Sequence, residues 1–160
     1  MSITKAFENA YFKKESRGWD KIYVVVDVHE TIFEPSYKST QKDFIYYFNA
    51  KIALQTMSKM DDIVLILNTS SYPDQIGRFL DKLENDNIHF DFINENPMEK
   101  NTEYACFDKK FYFNVIIDDK AGFDAETDWY DVFKFCQKQL IIKMMLFDAE
   151  INLYDDKKKD

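Results

Sequence analysis

The stretch Ile22-Tyr23-Val24-Val25-Val26-Asp27-Val28-His29-Glu30-Thr31 decides the fold. Its first five residues are all β-branched or aromatic, the pattern of a strand buried on both faces in the middle of a parallel sheet. The run then breaks into a carboxylate, an imidazole, a second carboxylate and a hydroxyl. In open parallel sheets ligands bind beyond the carboxyl ends of the strands, so a polar cluster at that point is a candidate site.

Outward from this strand, short aliphatic runs recur. Residues 63–67, 88–93 and 111–117 read as three further strands. Between them lie helical patterns. Phe44, Ile45, Phe48, Ile52 and Met57 recur at helical spacing across residues 41–60. Pro73-Asp74 opens a helix whose Ile76, Phe79, Leu80 and Leu83 share a face, and residues 85–87 close it. Residues 3–14 read as helical within an N-terminal extension, 1–20. Residues 28–40 are a turn-rich connection, 94–108 a polar loop, 128–148 one or two helices, and 151–160 a charged, solvated tail. Strands alternating with helices predict an α/β domain over residues 21–150. Its expected form is a three-layer α/β/α sandwich, with helices on both faces of a mainly parallel, Rossmann-like sheet.

Composition narrows the functional classes. With 46% hydrophobic and 31% charged residues but only 3 Gly and 3 Pro, the 160-residue chain is neither disordered nor collagen-like. Its 21 basic against 29 acidic residues give a net charge of −8, the wrong sign for gripping long nucleic acid or an anionic membrane. Cys106 and Cys136 have no second cysteine at metal-ligand spacing and read as buried or half-buried free thiols. The first residues lack the apolar core of a signal peptide, and residues 140–147 are too short to span a bilayer and include Lys143. The expected compartment is the cytoplasm. No glycine-rich turn follows a strand, which argues against a dinucleotide site.

The polar residues at the strand ends share one chemical logic. Asp27 to Thr31 follow the first strand, Asn68-Thr69-Ser70-Ser71 the second, and Asp118-Asp119 the fourth, with Lys109-Lys110 just before it. Acids from two strands suit Mg²⁺, a hard cation that takes a few carboxylates and keeps water for substrate oxygens. A hydroxyl and a lysine suit the remaining oxygens of a phosphate, and phosphoryl transfer depends mostly on such positioning and charge stabilisation. The ordinary alternatives are an acid ending a strand at a turn, a threonine that opens a helix-capping segment, and an acidic surface turn.

The order of these residues resembles the haloacid dehalogenase-like phosphohydrolase superfamily. VVVDVHETIF (24–33) resembles its first motif, a hydrophobic strand followed by D-x-D-x-T. LILNTSS (65–71) resembles its second, Lys110 stands where its third-motif lysine is plausible, and FNVIIDDKAGF (113–123) resembles its fourth. The run IIDDKAGF followed by Asp128-Trp129 is most similar to small bacterial and phage members without a large cap. The resemblance covers roughly residues 20–130. It implies a Mg²⁺-dependent phosphomonoester hydrolase working through an aspartyl-phosphate on Asp27. Asp27, Asp118, Asp119 and the His29 carbonyl would form the metal site. Thr31, Thr69, Ser70 and Lys110 would hold the phosphoryl group, with Thr69 and Lys110 also supporting the chemistry.

Two positions depart from the family pattern. His29 stands where a second aspartate acts as acid and base, a task imidazole is able to perform near neutrality. Glu30 stands where glycine is common, adding bulk and negative charge beside the phosphate. These departures keep open an alternative, a catalytically silent relative that binds a ligand or partner. The short intervals leave no room for a separate lid domain. An open mouth suits a phosphate carried on a larger molecule, or a nucleotide. The aromatic runs read as core, and any excess exposed aromatic surface as the interface of a homodimer or of another partner.

Overall fold

β1 (Ile22–Asp27) lies inside a sheet, with a strand hydrogen-bonded on each flank. In the computed structural model, which describes residues 2–35 and 44–157, β1 pairs in parallel with β2 (Ile63–Asn68), from Ile22↔Ile63 to Asp27↔Asn68. On its other side it pairs in parallel with β4 (Val115–Ile117), and β3 (Phe92–Ile93) lies parallel beyond β2. The order is β3-β2-β1-β4. The chain therefore steps outward from β1 to β3 and returns to the free flank of β1, which puts the reversal of strand order between β1 and β4.

Among the described residues four helices complete the α/β fold: α1 (Ile3–Arg17), α2 (Ala50–Met57), α3 (Pro73–Asn85) and α4 (Asp128–Lys157). Proline at the first position of α3 suits a turn whose N–H groups lack partners in any case. Ile3, Phe7, Ala10 and Tyr11 bury one stripe of α1, at the spacing of a single helix face. This helix of the N-terminal segment thus joins the same core as the sheet.

The layering departs from expectation. Ile22, Val24 and Val26 of β1 and Ile63, Leu65 and Leu67 of β2 share one cluster with buried residues of all four helices. Tyr23, Val25, Val64 and Ile66, on the opposite face, are covered by Phe92, Phe111, Tyr112, Phe113 and Ile116. Among the described residues the second face is therefore closed by an aromatic segment and not by helices. Large flat side chains cover a small sheet without the length a helix needs.

The outer strands are shorter than expected for a specific reason. Asn114 accepts the Tyr23 N–H through its side chain (2.8 Å) and donates its own N–H to the Tyr23 carbonyl (2.9 Å). Asp91 treats Leu65 in the same way, at 2.8 and 2.9 Å. Side-chain oxygens thus replace backbone carbonyls in the ladder, and regular pairing resumes only at Val115 and Phe92.

The helix expected over 41–60 also begins late, at Ala50. Residues 41–43, like residues 36–40 of the turn-rich connection and 158–160 of the tail, lie outside the described residues. Residues 44–47 are extended instead. Glu34 N–H bonds the Ile45 carbonyl (2.8 Å) and Tyr47 N–H the Ile32 carbonyl (3.1 Å), folding this segment back over the chain that follows β1. Asn49, in a left-handed conformation (φ 66°), turns the chain into α2. The two thiols differ: Cys136 is buried in α4, where burial pushes its pKa up to about 12, whereas Cys106 is exposed on the polar loop. Among the described residues no helix is long and apolar enough to cross a membrane.

Candidate active site

Because Val26 pairs with Ile117, the residues that follow them leave the sheet side by side. Asp27, Asp118 and Asp119 thereby come together, each offering a carboxylate oxygen within 4.8 Å of the others'. Asp118 turns inward as the cap of a short 3-10 turn, Asp119–Ala121, accepting the Lys120 N–H at 2.8 Å. The cluster sits at the reversal of strand order, where the fold alone would place a ligand.

Thr31 ties the cluster together. Fully buried, it donates its hydroxyl to Asp27 Oδ2 (3.4 Å) and accepts the Asp119 N–H (3.1 Å). Its carbonyl accepts the Trp129 indole N–H at 2.8 Å, which fastens the start of α4 behind the site. These contacts make Thr31 a positioning residue for two of the three carboxylates.

The electrostatics follow from that crowding. Burial raises the Asp27 pKa, and the neighbouring Asp118 and Asp119 raise it further; a hydrogen bond from the Val28 backbone and the charge of Lys120 partly oppose them. Three half-buried acids this close repel one another, and Lys120, 3.1 Å from Asp119, offsets part of that repulsion. An all-oxygen donor set suits a hard divalent ion such as Mg²⁺.

Thr69 follows β2 beside this cluster. Its backbone is held at both ends by Asn94, which accepts the Thr69 N–H and donates to the Thr69 carbonyl, both at 2.8 Å. Its hydroxyl donates to Ser71 Oγ (3.0 Å) and accepts the Ser71 N–H (3.2 Å). Ser71 Oγ lies 2.8 Å from His29 Nε2, so hydroxyls link the second strand end to the imidazole. The His29 ring also meets Phe79 of α3 edge-on, with centroids 5.3 Å apart. Ser70 is exposed beside this network.

Lys110 is placed elsewhere. Its Nζ lies over the Phe113 ring, 5.8 Å from the centroid, among the aromatics that cover the second sheet face. The cation whose charge acts on Asp27 is Lys120, paired with Asp119 at 3.1 Å. Sequence reasoning passed over Lys120 although it directly follows the acidic pair. Ser71 and Asn94 were missed as well, because their part depends on hydrogen bonds between separate strand ends.

Glu30 adopts a left-handed backbone (φ 55°), in a tight turn where the Val28 carbonyl accepts from both Ile32 and Phe33. That conformation favours glycine and costs another residue about 1 kcal/mol. The Glu30 side chain is exposed. No known protein family, curated protein or solved structure matches the chain.

Proposed function

We propose that this protein is a phosphomonoester hydrolase of the haloacid dehalogenase-like type, using Mg²⁺ and an aspartyl-phosphate on Asp27. The observation that carries the reading is the meeting of Asp27, Asp118 and Asp119 at the reversal of strand order. In further support, an acid ends β1, a threonine follows β2 and an acidic pair follows β4, in the order of the motifs. The Asp27, Asp118 and Asp119 carboxylates, with the His29 carbonyl, would hold Mg²⁺, which when bound supplies positive charge to the phosphoryl oxygens.

In the first step the Asp27 carboxylate attacks phosphorus, and the bond from phosphorus to the leaving oxygen breaks. His29 in its protonated form gives that oxygen a proton. In the second step neutral His29 takes a proton from a water that attacks the same phosphorus, which releases phosphate and restores the Asp27 carboxylate. The Thr69 hydroxyl donates to a phosphoryl oxygen, and Lys120 offsets the charge gathered beside the acids. Thr31 keeps Asp27 and Asp119 in register throughout. The substrate is a phosphate carried on a larger molecule or a nucleotide, since among the described residues no separate lid domain stands over the strand ends.

The alternative of a silent binding protein is favoured by one observation, the engagement of His29 Nε2 by Ser71. Turnover of an aryl phosphate with Mg²⁺, comparing the protein with Asp27→Asn, separates the two. The enzyme reading expects the variant to lose at least about 100-fold in kcat, on the scale of a lost catalytic group. Equal rates remove it.

A further inference from the structure

The far end of α4 has no counterpart in the site. The helix starts behind Thr31 and reaches the amino edge of the sheet at Lys143, whose Nζ lies 2.6 Å from Asp61 and 2.7 Å from Asp62, just before β2. Beyond that pin α4 continues to Lys157, and every residue from 144 to 154 is exposed. Met144, Met145, Leu146 and Phe147 are 62 to 66% exposed and Leu153 64%. A lone helical segment of this length is marginal in water, and an apolar surface this dense marks a contact.

The pattern also indicates what covers it. Leu140, Met144, Phe147 and Ile151 repeat at the 4-3-4 spacing of a helix-packing seam. Between its acidic first turn, Asp128 and Asp131, and its basic last residue, Lys157, the helix carries Lys134, Lys138 and Lys143 before Met144 and Asp148, Glu150, Asp155 and Asp156 after Phe147. Two copies aligned in parallel set like charges together, whereas an antiparallel pair sets the acids of one against the lysines of the other. The first half of α4 also borders α1 across a groove of about 470 Å³, where Lys134 and Lys138 stand with Glu8 and Asp131 around Phe135 and Ile141.

Area points the same way. Eight large apolar residues between Ile141 and Leu153 are exposed. At on the order of 100 Å² each, the seam residues Met144, Phe147 and Ile151 with Ile141 and Ile142 of the groove offer on the order of 1,000 Å² from two copies, the lower end of a specific interface. We propose that the projecting end of α4 is the interface with a second copy of this chain. The two helices pack antiparallel about a two-fold axis near Phe147, and each end lies along the α1–α4 groove of the other copy.

Sedimentation and light scattering of the full chain test this, alongside Leu146→Glu/Phe147→Glu, with circular dichroism and a thermal transition to verify that the variant folds. The protein is expected at twice its 19.1 kDa chain mass. The variant is expected as a folded monomer, with a dissociation constant raised at least about 30-fold. Mild oxidation in a Cys106→Ser background gives a second readout that needs no disruptive change. Phe147→Cys, near the axis, should cross-link two chains, and Leu153→Cys should not, because the antiparallel arrangement separates its two copies. Four results overturn the proposal: a monomer at all concentrations, a monomer that binds phosphatidylcholine vesicles through this helix, a dimer that survives the double substitution, or cross-linking of Leu153→Cys as readily as Phe147→Cys.

Discussion

Thr31 and Asp119, 88 positions apart in the chain, are joined by a hydrogen bond of 3.1 Å from the Asp119 N–H to the Thr31 hydroxyl. That hydroxyl also reaches Asp27, so one side chain sets the spacing between acids from two strand ends. Thr31→Val keeps the shape but leaves the Asp119 N–H without this acceptor. The expected outcome is a loss of about 1–3 kcal/mol in stability. Mg²⁺ affinity should fall about 10-fold or more, as for other changes behind a metal ligand. Thr31→Ser restores both. Thermal unfolding and calorimetric Mg²⁺ titration read the two effects separately.

Asp27 gives a pH prediction. Its carboxyl is raised above the ordinary value near 3.9, first by burial and then by Asp118. The folded state thus holds this proton more tightly than the unfolded chain does. The stability it contributes is full below the unfolded pKa and is lost as pH rises through the folded one. Without metal, Asp27→Asn should therefore raise Tm at neutral pH, by about 2–4 °C for each kcal/mol relieved, with no gain below the carboxylate range. Adding Mg²⁺ should reverse the order, stabilising the unsubstituted protein and not the variant.

Lys120 and Lys110 are told apart by parallel substitutions to methionine. Lys120→Met removes the charge paired with Asp119 and acting on Asp27. It should lower kcat/KM about 10- to 100-fold, which is about 1.4 to 2.7 kcal/mol of transition-state stabilisation. Lys110→Met, which removes a cation lying over Phe113, should change kcat/KM less than about 3-fold, about 0.6 kcal/mol on the same scale. The reverse ranking would return the cationic role to Lys110.

Glu30 combines a strained backbone with a negative charge near the site. Glu30→Ala removes the charge and keeps the strain, while Glu30→Gly removes both. Aryl phosphate turnover should rise severalfold in each, since the repulsion of substrate is relieved either way. Stability should be higher in the glycine variant than in the alanine variant by less than about 1 kcal/mol, because relief of strain is offset by the freer unfolded chain. Steady-state kinetics with denaturant unfolding test both parts.

The α/β fold and the central strand are legible in the sequence because a buried parallel strand has a distinctive composition, and 22–26 carries it undiluted. The acids were legible for the same reason, since each directly follows such a run. The helices on one face were not, because Phe111, Tyr112 and Phe113 read equally well as strand or as cover. Asn114 and Asp91 shortened the outer strands through side-chain hydrogen bonds that no periodicity records. Lys110 was chosen by spacing along the chain, but proximity to Asp27 depends on which way the turn after β4 leads, and it leads Lys120 there. The late start of α2 likewise reflects the pairing of 45–47 with 32–34, a tertiary contact that overrides helical spacing.

The most direct test of the central claim is a crystal structure with Mg²⁺ and beryllofluoride, a mimic of the phosphoryl group on a carboxylate. The account predicts beryllium bonded to an Asp27 oxygen and Mg²⁺ shared by Asp27 and Asp118, with Thr69 and Lys120 turned toward the fluorides. Saturating ligand with Asp27 unmodified, or Mg²⁺ bound away from the Asp27–Asp118 pair, would contradict it.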